Sequence, residues 1–403
     1  MSSREPSVRK ITVVTTSRAD YSHLRWVLES IREHPELDLR FCAVGSMLSG
    51  EFGEGAREAE SDGFPVDDPI ECLISSDTDV GMAKTIGVAS LGLADALARH
   101  RPDILLLIAD RYELLAPAAV ATALRIPIAH IEGGEVSEGA IDDAVRNAVT
   151  KLSHIHFTPT EGAALRVLAM GEEPWRVYRT GAPSLDHLRR SELPDAESLA
   201  RELGWKPERP PVVVAYHPVT IAQDTLREAD AVYEALSRID QPLLFCFPNA
   251  DAGSRQLVRR AEALCANRED ARLFVNLNPV VYWAALRDAA AMVGNSSSGI
   301  MESPSLELPA VNIGMRQQGR ERAGNIIDCA PEVEAILDAV RRALDPGFRR
   351  GLKGLVNPYG DGRSGERIAR VLAEAPLGES LLLKRALPLE APGAGEDGAD
   401  EAG

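Results

Sequence analysis

The sequence predicts an α/β protein made of two doubly wound parallel-sheet domains that face a cleft. Short aliphatic runs alternate with longer helical patterns along most of the chain, which is the order of βαβ units. The apolar runs are continuous rather than alternating, which is typical of parallel strands covered by helices on both faces. The chain has 403 residues, enough for two such domains.

The first domain is predicted over residues 1–185. Its candidate strands are Lys10–Thr15, Leu39–Val44, Ile104–Ile108, Ile126–His130, His154–Thr158 and Val177–Thr180. Its helical patterns include Tyr21–Arg32, Val80–Arg99 and Asp142–Leu152. Residues 184–211 then carry no strand pattern, and the sequence ERPP at 208–211 precedes a new buried strand. We therefore place the domain boundary between residues 186 and 210.

The second domain is predicted over residues 186–358. Its candidate strands are Val212–Tyr216, Leu243–Phe247, Arg272–Val275, Ala291–Gly294 and Ala310–Ile313, with a helical pattern at Ala229–Arg238. Residues 359–378 contain a further helical pattern, Gly365–Glu374, which we expect to pack back on the first domain. Residues 386–403 hold five acidic residues and no basic one, which predicts a disordered tail.

Composition excludes several classes of protein. Lys and Arg number 44 against 61 Asp and Glu, a net charge of −17, so a nucleic-acid partner is not expected. Five scattered cysteines without a CxxC pair argue against a disulfide framework or a zinc site, and for a reducing cytoplasm. The polar N-terminus lacks a signal peptide, and the longest purely apolar run near the N-terminal half, Ile104–Ala109, is too short to cross a membrane.

Polar residues follow the first predicted strand, where a βα unit presents the start of its helix. The segment TTSRADYS at 15–22 opens a helix whose free N–H groups could hold an anion, and Arg18 adds a positive charge. The alternative is an ordinary N-cap made by Ser17 or Asp20, with Arg18 solvated. The segment is not GxGxxG, so a dinucleotide site is not indicated.

Carboxylates cluster after the next strands of the first domain. Asp110 and Arg111 follow one strand, and Glu132, Glu135, Asp142 and Asp143 lie within twelve residues after another. Crowded carboxylates separate their pKa values, so that one can act as an acid and another as a base. The alternatives are an Asp110–Arg111 ion pair, an Asp-rich helix start, or a Mg²⁺ or Ca²⁺ site, although the D-x-D-x-D-G spacing is absent. No metal site is predicted.

A phosphate site is predicted in the second domain. Small hydroxyl residues and Gly stand between a strand and a helix in GNSSSGIME at 294–302, an arrangement that places N–H groups and hydroxyls around an anion. Glu302 could accept two ribose hydroxyls, and Arg316 could supply a second cation. The alternative is a Ser-rich capped turn. His217 and Asn249 end neighbouring strands of the same domain, although a lone His is as often structural as catalytic.

Together these segments resemble a known family. The segments are TSRADYS (16–22), ADRYELLA (109–116), IPIAHIEGGEVSEGAIDDAVRNAVTKLSH (126–154), YHPVT (216–220), GNSSSGIMESPSLELPAVNIGMRQQGRERAGNIIDC (294–329) and NPYGDGRSGERI (357–368). They look like the hydrolysing UDP-N-acetylglucosamine 2-epimerases of sialic-acid-type sugar synthesis, over roughly residues 10–375. That family has the glycosyltransferase-B (GT-B) architecture, which agrees with the two-sheet prediction.

The resemblance implies roles for individual residues. Those facing the diphosphate or uridine would be Arg18, Ser22 and Arg111. Those holding UDP in the second domain would be His217, Asn249, Ser296, Ser297 and Arg316, with Glu302 on the ribose. The acid–base carboxylates around the sugar would be Asp110, Glu132 and Asp142, with His23, Asp143 and Arg146 near them and His217 as a further candidate catalytic residue.

The activity that the resemblance implies needs no cofactor, and no nicotinamide motif is present. UDP-N-acetylglucosamine and water would give UDP and N-acetylmannosamine through elimination to a glycal and rehydration. The same reaction on UDP-2,4-diacetamido-2,4,6-trideoxyglucose is an alternative, as are a GT-B glycosyltransferase and an inactive sugar-nucleotide binding protein. His23 stands where some members have Lys, and Asn147 where His is common, so the sugar is left open. The family implies a homodimer or homotetramer.

Overall fold

Two parallel sheets form the framework of the computed structural model, which describes residues 8–52, 55–74, 78–137, 141–218, 228–247, 254–275 and 277–386. The first sheet has seven strands in the order β3-β2-β1-β4-β5-β6-β7. Their bounds are β1 Arg9–Thr15, β2 Leu37–Val44, β3 Asp68–Ile70, β4 Ile104–Ile108, β5 Ile128–Ile131, β6 Ile155–Thr158 and β7 Val177–Arg179.

The second sheet has six strands in the order β10-β9-β8-β11-β12-β13. Their bounds are β8 Val212–Ala215, β9 Leu243–Phe247, β10 Ala271–Val275, β11 Ala291–Gly294, β12 Ala310–Ile313 and β13 Ile326–Cys329. Every strand pair in both sheets is parallel. The predicted fold class, two doubly wound α/β domains, is therefore confirmed.

Helices connect these strands and cover the sheets. The α-helices are α1 Arg18–Glu33, α2 Gly55–Ser61, α3 Asp79–His100, α4 Leu115–Leu124, α5 Ile141–Leu152, α6 Glu161–Ala169, α7 Asp186–Arg190, α8 Ala196–Glu202, α9 Ala229–Ser237, α10 Ser254–Ala266, α11 Pro279–Arg287, α12 Ser298–Met301, α13 Val333–Ala343, α14 Pro346–Gly351, α15 Ser364–Glu374 and α16 Glu379–Leu382. Short 3-10 helices span Gly45–Leu48, Gly50–Phe52, Tyr112–Leu114, Pro174–Arg176, Pro183–Leu185 and Ser303–Leu306.

Two strands, β3 and β13, were not predicted from the sequence. Both are edge strands, and each is only partly buried. An edge strand pairs with a neighbouring strand along one side only and is less buried, so it has no need for a continuous aliphatic run. Both DPI and IIDC contain Asp, and DPI also contains Pro. The eleven predicted strands are all present, because inner parallel strands are aliphatic along their whole length.

The chain returns to the first domain after the second sheet. Helix α15 packs against α1, and its residues Ile368 and Leu372 are buried in the same core cluster as Leu24 and Leu28 of α1. The fully buried Arg176 then donates hydrogen bonds to the backbone carbonyl groups of α16 and the residue after it. Of the predicted tail, residues 386–403, only Ala386 lies within the described residues.

Gly294 ends β11 at the edge of the second sheet that carries the predicted phosphate site. Its φ is +146°, and a Cβ there would lie 2.0 Å from the backbone oxygen of Ala215 in β8. We expect Gly294→Ala to lower the free energy of unfolding by about 3 kcal/mol, measured by denaturant unfolding, because two backbones must separate. Gly299→Ala is the matched control, since its Cβ meets only ordinary contacts, and equal stability of the two variants would contradict the expectation.

Candidate active site

Arg146 contacts the two segments of the first domain that carry Asp110 and Glu132. It lies in α5, is 2% exposed, and donates to the backbone oxygen of Glu132 at 2.9 Å. The same guanidinium pairs with Asp110, which follows β4, and with the hydroxyl of Ser137 at 3.0 Å. The Ser137 hydroxyl also donates to Asp110 at 3.2 Å. Asp110 thus pairs with Arg146 of α5.

Glu132 is held in the site by its backbone. Its φ is +66°. Gly134, two residues later, has a φ of +76°, and a Cβ added there would lie 2.1 Å from the backbone oxygen of Ala163. This turn directs the Glu132 carboxylate toward His23, whose Nδ1 lies 3.4 Å from Glu132 Oε1. Glu132 is 5% exposed, so its position is defined by the protein rather than by solvent.

Glu132 and His23 form a charged pair. Burial by itself would raise the pKa of Glu132, but His23, Arg146 and Arg320 outweigh it and hold that pKa at about 2. Burial would lower the pKa of His23, but the adjacent negative charge of Glu132 raises it to about 9. At neutral pH the pair is therefore a carboxylate beside an imidazolium, which carries a proton on the histidine.

The pKa of Asp142 is raised, whereas that of Glu132 is lowered. It lies in the first turn of α5, and burial together with the nearby Asp110 raises the pKa of Asp142 to about 6, against the charges of Arg111, Arg146 and Arg316. A carboxyl group with this pKa is ionised at neutral pH and still basic enough to take a proton. The carboxylate of the neighbouring Asp143 accepts hydrogen bonds from the Ser137 N–H and from the Asn147 side chain, each at 3.1 Å.

The predicted cations of the first domain have carboxylate partners. Arg111 pairs with the fully buried Glu113 at 3.1 Å, and Arg18, at the start of α1, pairs with Glu58. Ser17 caps α1 by accepting the N–H of Asp20, so the N-cap alternative describes Ser17 correctly. The backbone oxygen of Ser22 accepts a hydrogen bond from His187 at 2.7 Å. Arg18 and Arg111 remain partly exposed at the ends of β1 and β4.

Asn295 organises the second domain's side of the site, and sequence reasoning did not single it out. It directly follows β11, is 1% exposed, and bonds both backbone groups of His217, at 2.7 Å and 2.9 Å. Its own backbone oxygen accepts from Arg316 and from Gln317, each at 2.9 Å. Its place between the strand and the Ser-rich turn was the available signal.

His217 is uncharged at neutral pH. Burial and the charge of Arg316 lower the pKa of His217 to about 3. The imidazole can therefore donate or accept one hydrogen bond but adds no positive charge. Ser296 and Ser297 precede α12, which has only four residues, so its helix dipole is weak and the positive potential at this turn comes mainly from individual hydroxyl and N–H groups.

Glu302, the residue expected to bind the ribose, is buried. Ser184, in the segment that joins the domains, donates to Glu302 Oε1 at 2.5 Å. Glu302 Oε2 is buried and has no hydrogen-bond partner among the described residues. Burial raises the pKa of Glu302, and His23 and Glu132 are among the charges that act on it. One oxygen, not two, is thus left for a hydroxyl. Asn249 lies outside the described residues.

The two domains meet around these groups. Arg320, in the loop after β12, donates to the backbone oxygen of Val136 at 3.0 Å, and Glu321 accepts the N–H of Gly162 at 2.6 Å. Arg316 of the second domain acts on the pKa of Asp142 in the first. The carboxyl ends of both sheets therefore face one cleft, with Asp110, Glu132 and Asp142 on one wall and Arg316 and the Ser-rich turn on the other. Within the described residues, no three His, Cys, Asp or Glu side chains are arranged to hold a metal.

Comparisons with known proteins agree with this arrangement. A family model described as UDP-N-acetylglucosamine 2-epimerase matches residues 29–373. The UDP-N,N'-diacetylbacillosamine 2-epimerase (hydrolyzing) of Legionella pneumophila is 34% identical over 379 residues, which are 94% of this chain and 99% of the relative. The UDP-N-acetylglucosamine 2-epimerase of Neisseria meningitidis is 30% identical over 341 residues, 84% of this chain and 89% of the relative.

A solved structure shares the fold. The UDP-GlcNAc 2-epimerase of Methanocaldococcus jannaschii, in complex with UDP-GlcNAc and UDP, has a TM-score of 0.76 at 18% identity and covers 90% of this chain and 99% of its own. The resemblance found in the sequence and the GT-B-like architecture are both confirmed. This chain belongs to the UDP-N-acetylglucosamine 2-epimerase family of enzymes.

Proposed function

We propose that the protein is a hydrolysing 2-epimerase, which converts UDP-N-acetylglucosamine and water to UDP and N-acetylmannosamine. The convergence of Glu132, His23 and Asp142 with Arg316 and His217 at one cleft supports this proposal. A glycosyltransferase also needs the nucleotide side of such a cleft. It has no need for a carboxylate–imidazolium pair and a basic carboxylate on the opposite wall.

The first step is loss of UDP. The hydrogen on carbon 2 becomes acidic only as the bond from carbon 1 to the UDP oxygen stretches, and the electron pair of that bond leaves with UDP. Arg316 and the groups of Ser296 and Ser297 stabilise the departing diphosphate, while neutral His217 can donate a single N–H. Arg18 and Arg111 add positive charge from the first domain.

Proton transfers complete the reaction. Asp142, ionised at neutral pH, takes the proton from carbon 2, and the C–H electron pair forms the double bond of the glycal. Water then adds its hydroxyl to carbon 1, and the protonated His23, held by Glu132, delivers a proton to the other face of carbon 2. Of the two protons released, one from the water and one from Asp142, one restores the protonated His23 and the other leaves to solvent with UDP. The product is a free sugar with carbon 2 inverted, and no cofactor is consumed.

A second substrate has specific support. The Legionella relative, which is named for UDP-N,N'-diacetylbacillosamine, shares more of its sequence with this chain than the Neisseria relative does. UDP-2,4-diacetamido-2,4,6-trideoxyglucose is therefore the second candidate for the same reaction. A cytoplasmic location is part of the proposal and is supported by the five cysteines, all of which are free thiols.

Proton NMR in heavy water tests the reaction. With UDP-N-acetylglucosamine we expect UDP and N-acetylmannosamine that carries deuterium at carbon 2, because the proton delivered comes from solvent. Turnover of the diacetamido sugar alone would select the second candidate. Sugar transfer that requires an acceptor and leaves carbon 2 protonated would contradict the proposal and support a glycosyltransferase.

A further inference from the structure

The segment that joins the two domains lies against α1, the helix that carries the proposed acid, His23. This joining segment consists of the 3-10 helix Pro183–Leu185 and of α7, and both parts pack against α1. Its side chains bind α1 at Ser22, Trp26 and Ser30, which are four residues apart and therefore lie in one stripe of the helix. His23 directly follows the first residue of this stripe, so the joining segment contacts the turn from which the acid projects.

His187, in α7, binds two groups of α1 at once. It is 5% exposed, its Nε2 lies 2.7 Å from the backbone oxygen of Ser22, and its Nδ1 lies 3.2 Å from Trp26 Nε1. Burial lowers the pKa of His187 to about 4, so the ring is neutral at neutral pH. Because an indole N–H can only donate, Nδ1 is the acceptor of the ring, and the single proton is on Nε2. His187 therefore donates a hydrogen bond to the Ser22 carbonyl.

Contacts on either side of His187 fix its position. The buried carboxylate of Asp186 accepts two backbone N–H groups at the start of α15, at 2.8 Å and 2.9 Å, and α15 itself packs against α1. Arg190 donates to the Ser30 hydroxyl at 2.9 Å, and its guanidinium lies 4.6 Å from the centre of the Trp26 ring. A donor that is held in this way can hold its acceptor in turn.

The joining segment also reaches the second domain's side of the cleft. Ser184, three residues before His187, donates to Glu302 Oε1 at 2.5 Å. Leu185 is buried in one cluster with two residues of α12, the helix that follows the Ser-rich turn. One short segment thus contacts α1 next to His23 and the carboxylate expected to bind the ribose. The position of His23 is therefore tied to the way in which the two domains are joined.

We propose that His187 is a positioning residue for His23. By holding the Ser22 carbonyl, His187 fixes the turn of α1 from which the imidazole of His23 reaches Glu132. The inference rests on the proposed function, because His23 delivers a proton only in that reaction. His187 does not touch the sugar or the nucleotide, and it acts through the backbone of α1 alone.

The position of His23 determines both its charge and its reach. The charged groups that act most strongly on it are Glu132 after β5, Glu302 of the second domain and Asp20 of its own helix, whereas neutral His187 adds no charge. Attraction between charges weakens with distance, so a turn that shifts away from Glu132 lowers the pKa of His23. Misplacement of a reacting group by about 1 Å can also lower a rate by about 10²-fold.

Two substitutions of His187 in the full-length protein separate the donor from the rest of the ring. The amide nitrogen of Gln takes the place of Nε2 and can still donate to Ser22, whereas the shorter Asn places its amide near Nδ1 and leaves the carbonyl without this donor. We expect His187→Asn to lower kcat about tenfold with an unchanged KM, and His187→Gln to keep most of the parent rate, measured by UDP release. His34→Asn, just after the end of α1, is the matched control and should match the parent.

A titration without substrate makes the test independent of the reaction. The histidine signals are followed by NMR, and comparison with His23→Lys identifies the signal of His23. Its pKa should lie near 9 in the parent and in His187→Gln, and should fall toward the ordinary value of about 6.5 in His187→Asn. The ring nitrogen shifts of the parent should show His187 neutral with its proton on Nε2, a result that requires no variant.

Three results would overturn the proposal. The first is a His187 ring with its proton on Nδ1, and the second is a His23 titration that His187→Asn leaves unchanged. The third is an equal loss of kcat in His187→Asn and His187→Gln, which would make the role of the ring structural. A parent protein that turns over no UDP-sugar would instead reject the proposed function, and the titration would still report whether His187 positions His23.

Discussion

Glu132→Gln is expected to lower kcat by about 10²–10⁴-fold while UDP still binds. The carboxylate of Glu132 raises the pKa of His23, and burial alone would lower it. A neutral amide at position 132 therefore leaves His23 without its proton at neutral pH, and the site loses its acid. Loss of general acid catalysis lowers a rate by about 10²–10⁴-fold. UDP release is measured with saturating UDP-sugar, and UDP affinity by calorimetry.

The controls separate chemistry from folding. Glu161→Gln makes the same substitution at an acid that is 74% exposed in α6, and its rate should match that of the parent. Unchanged UDP affinity and thermal unfolding in Glu132→Gln would show that the second domain and the fold are intact. A variant that keeps the full rate would remove Glu132, and with it His23, from the mechanism.

The sequence predicted the parts of the site that depend on strand ends. Asp110 follows β4 and Glu132 follows β5, and the carboxyl ends of parallel strands share one edge of a sheet. The supporting contacts could not be predicted in the same way. Arg146 reaches Asp110 across 36 residues of sequence, and Arg320 reaches Val136 across 184, so these pairs exist only once the elements have packed.

The different chemistry of the carboxylates also came only from the structure. In the sequence, Glu132 and Asp142 are two acids in one short segment, with nothing to distinguish them. Glu132 lies against His23 and Arg146 and stays ionised, whereas Asp142 lies near Asp110 and is harder to ionise. Which acid holds a proton at a given pH is set by such neighbours from other elements, and not by residue type.

Asp142→Asn is expected to lower kcat/KM by about 10²–10⁴-fold, because the amide cannot accept the proton of carbon 2. In the parent protein, kcat/KM should follow a bell-shaped dependence on pH. Below about 6, Asp142 is protonated and cannot act as a base, so the rate rises with pH through that value. Above about 9, His23 loses the proton that it must deliver, so the rate falls. Initial rates of UDP release from pH 4.5 to 10, in steps of about 0.5, measure both limbs.

Variants assign each limb to its residue. The residual activity of Asp142→Asn should lose the acid limb near pH 6, since the group that titrates there is gone. His23→Lys should keep a protonated group beside Glu132 to higher pH, because a lysine has an ordinary pKa of about 10.4, and should move the alkaline limb upward. Asp143→Asn removes a neighbouring carboxylate that bonds Ser137 and Asn147, and should keep the limb near pH 6. An acid limb that persists in Asp142→Asn would show that Asp142 is not the base that titrates near pH 6. An alkaline limb that stays in place in His23→Lys would show that residue 23 is not the acid that titrates there.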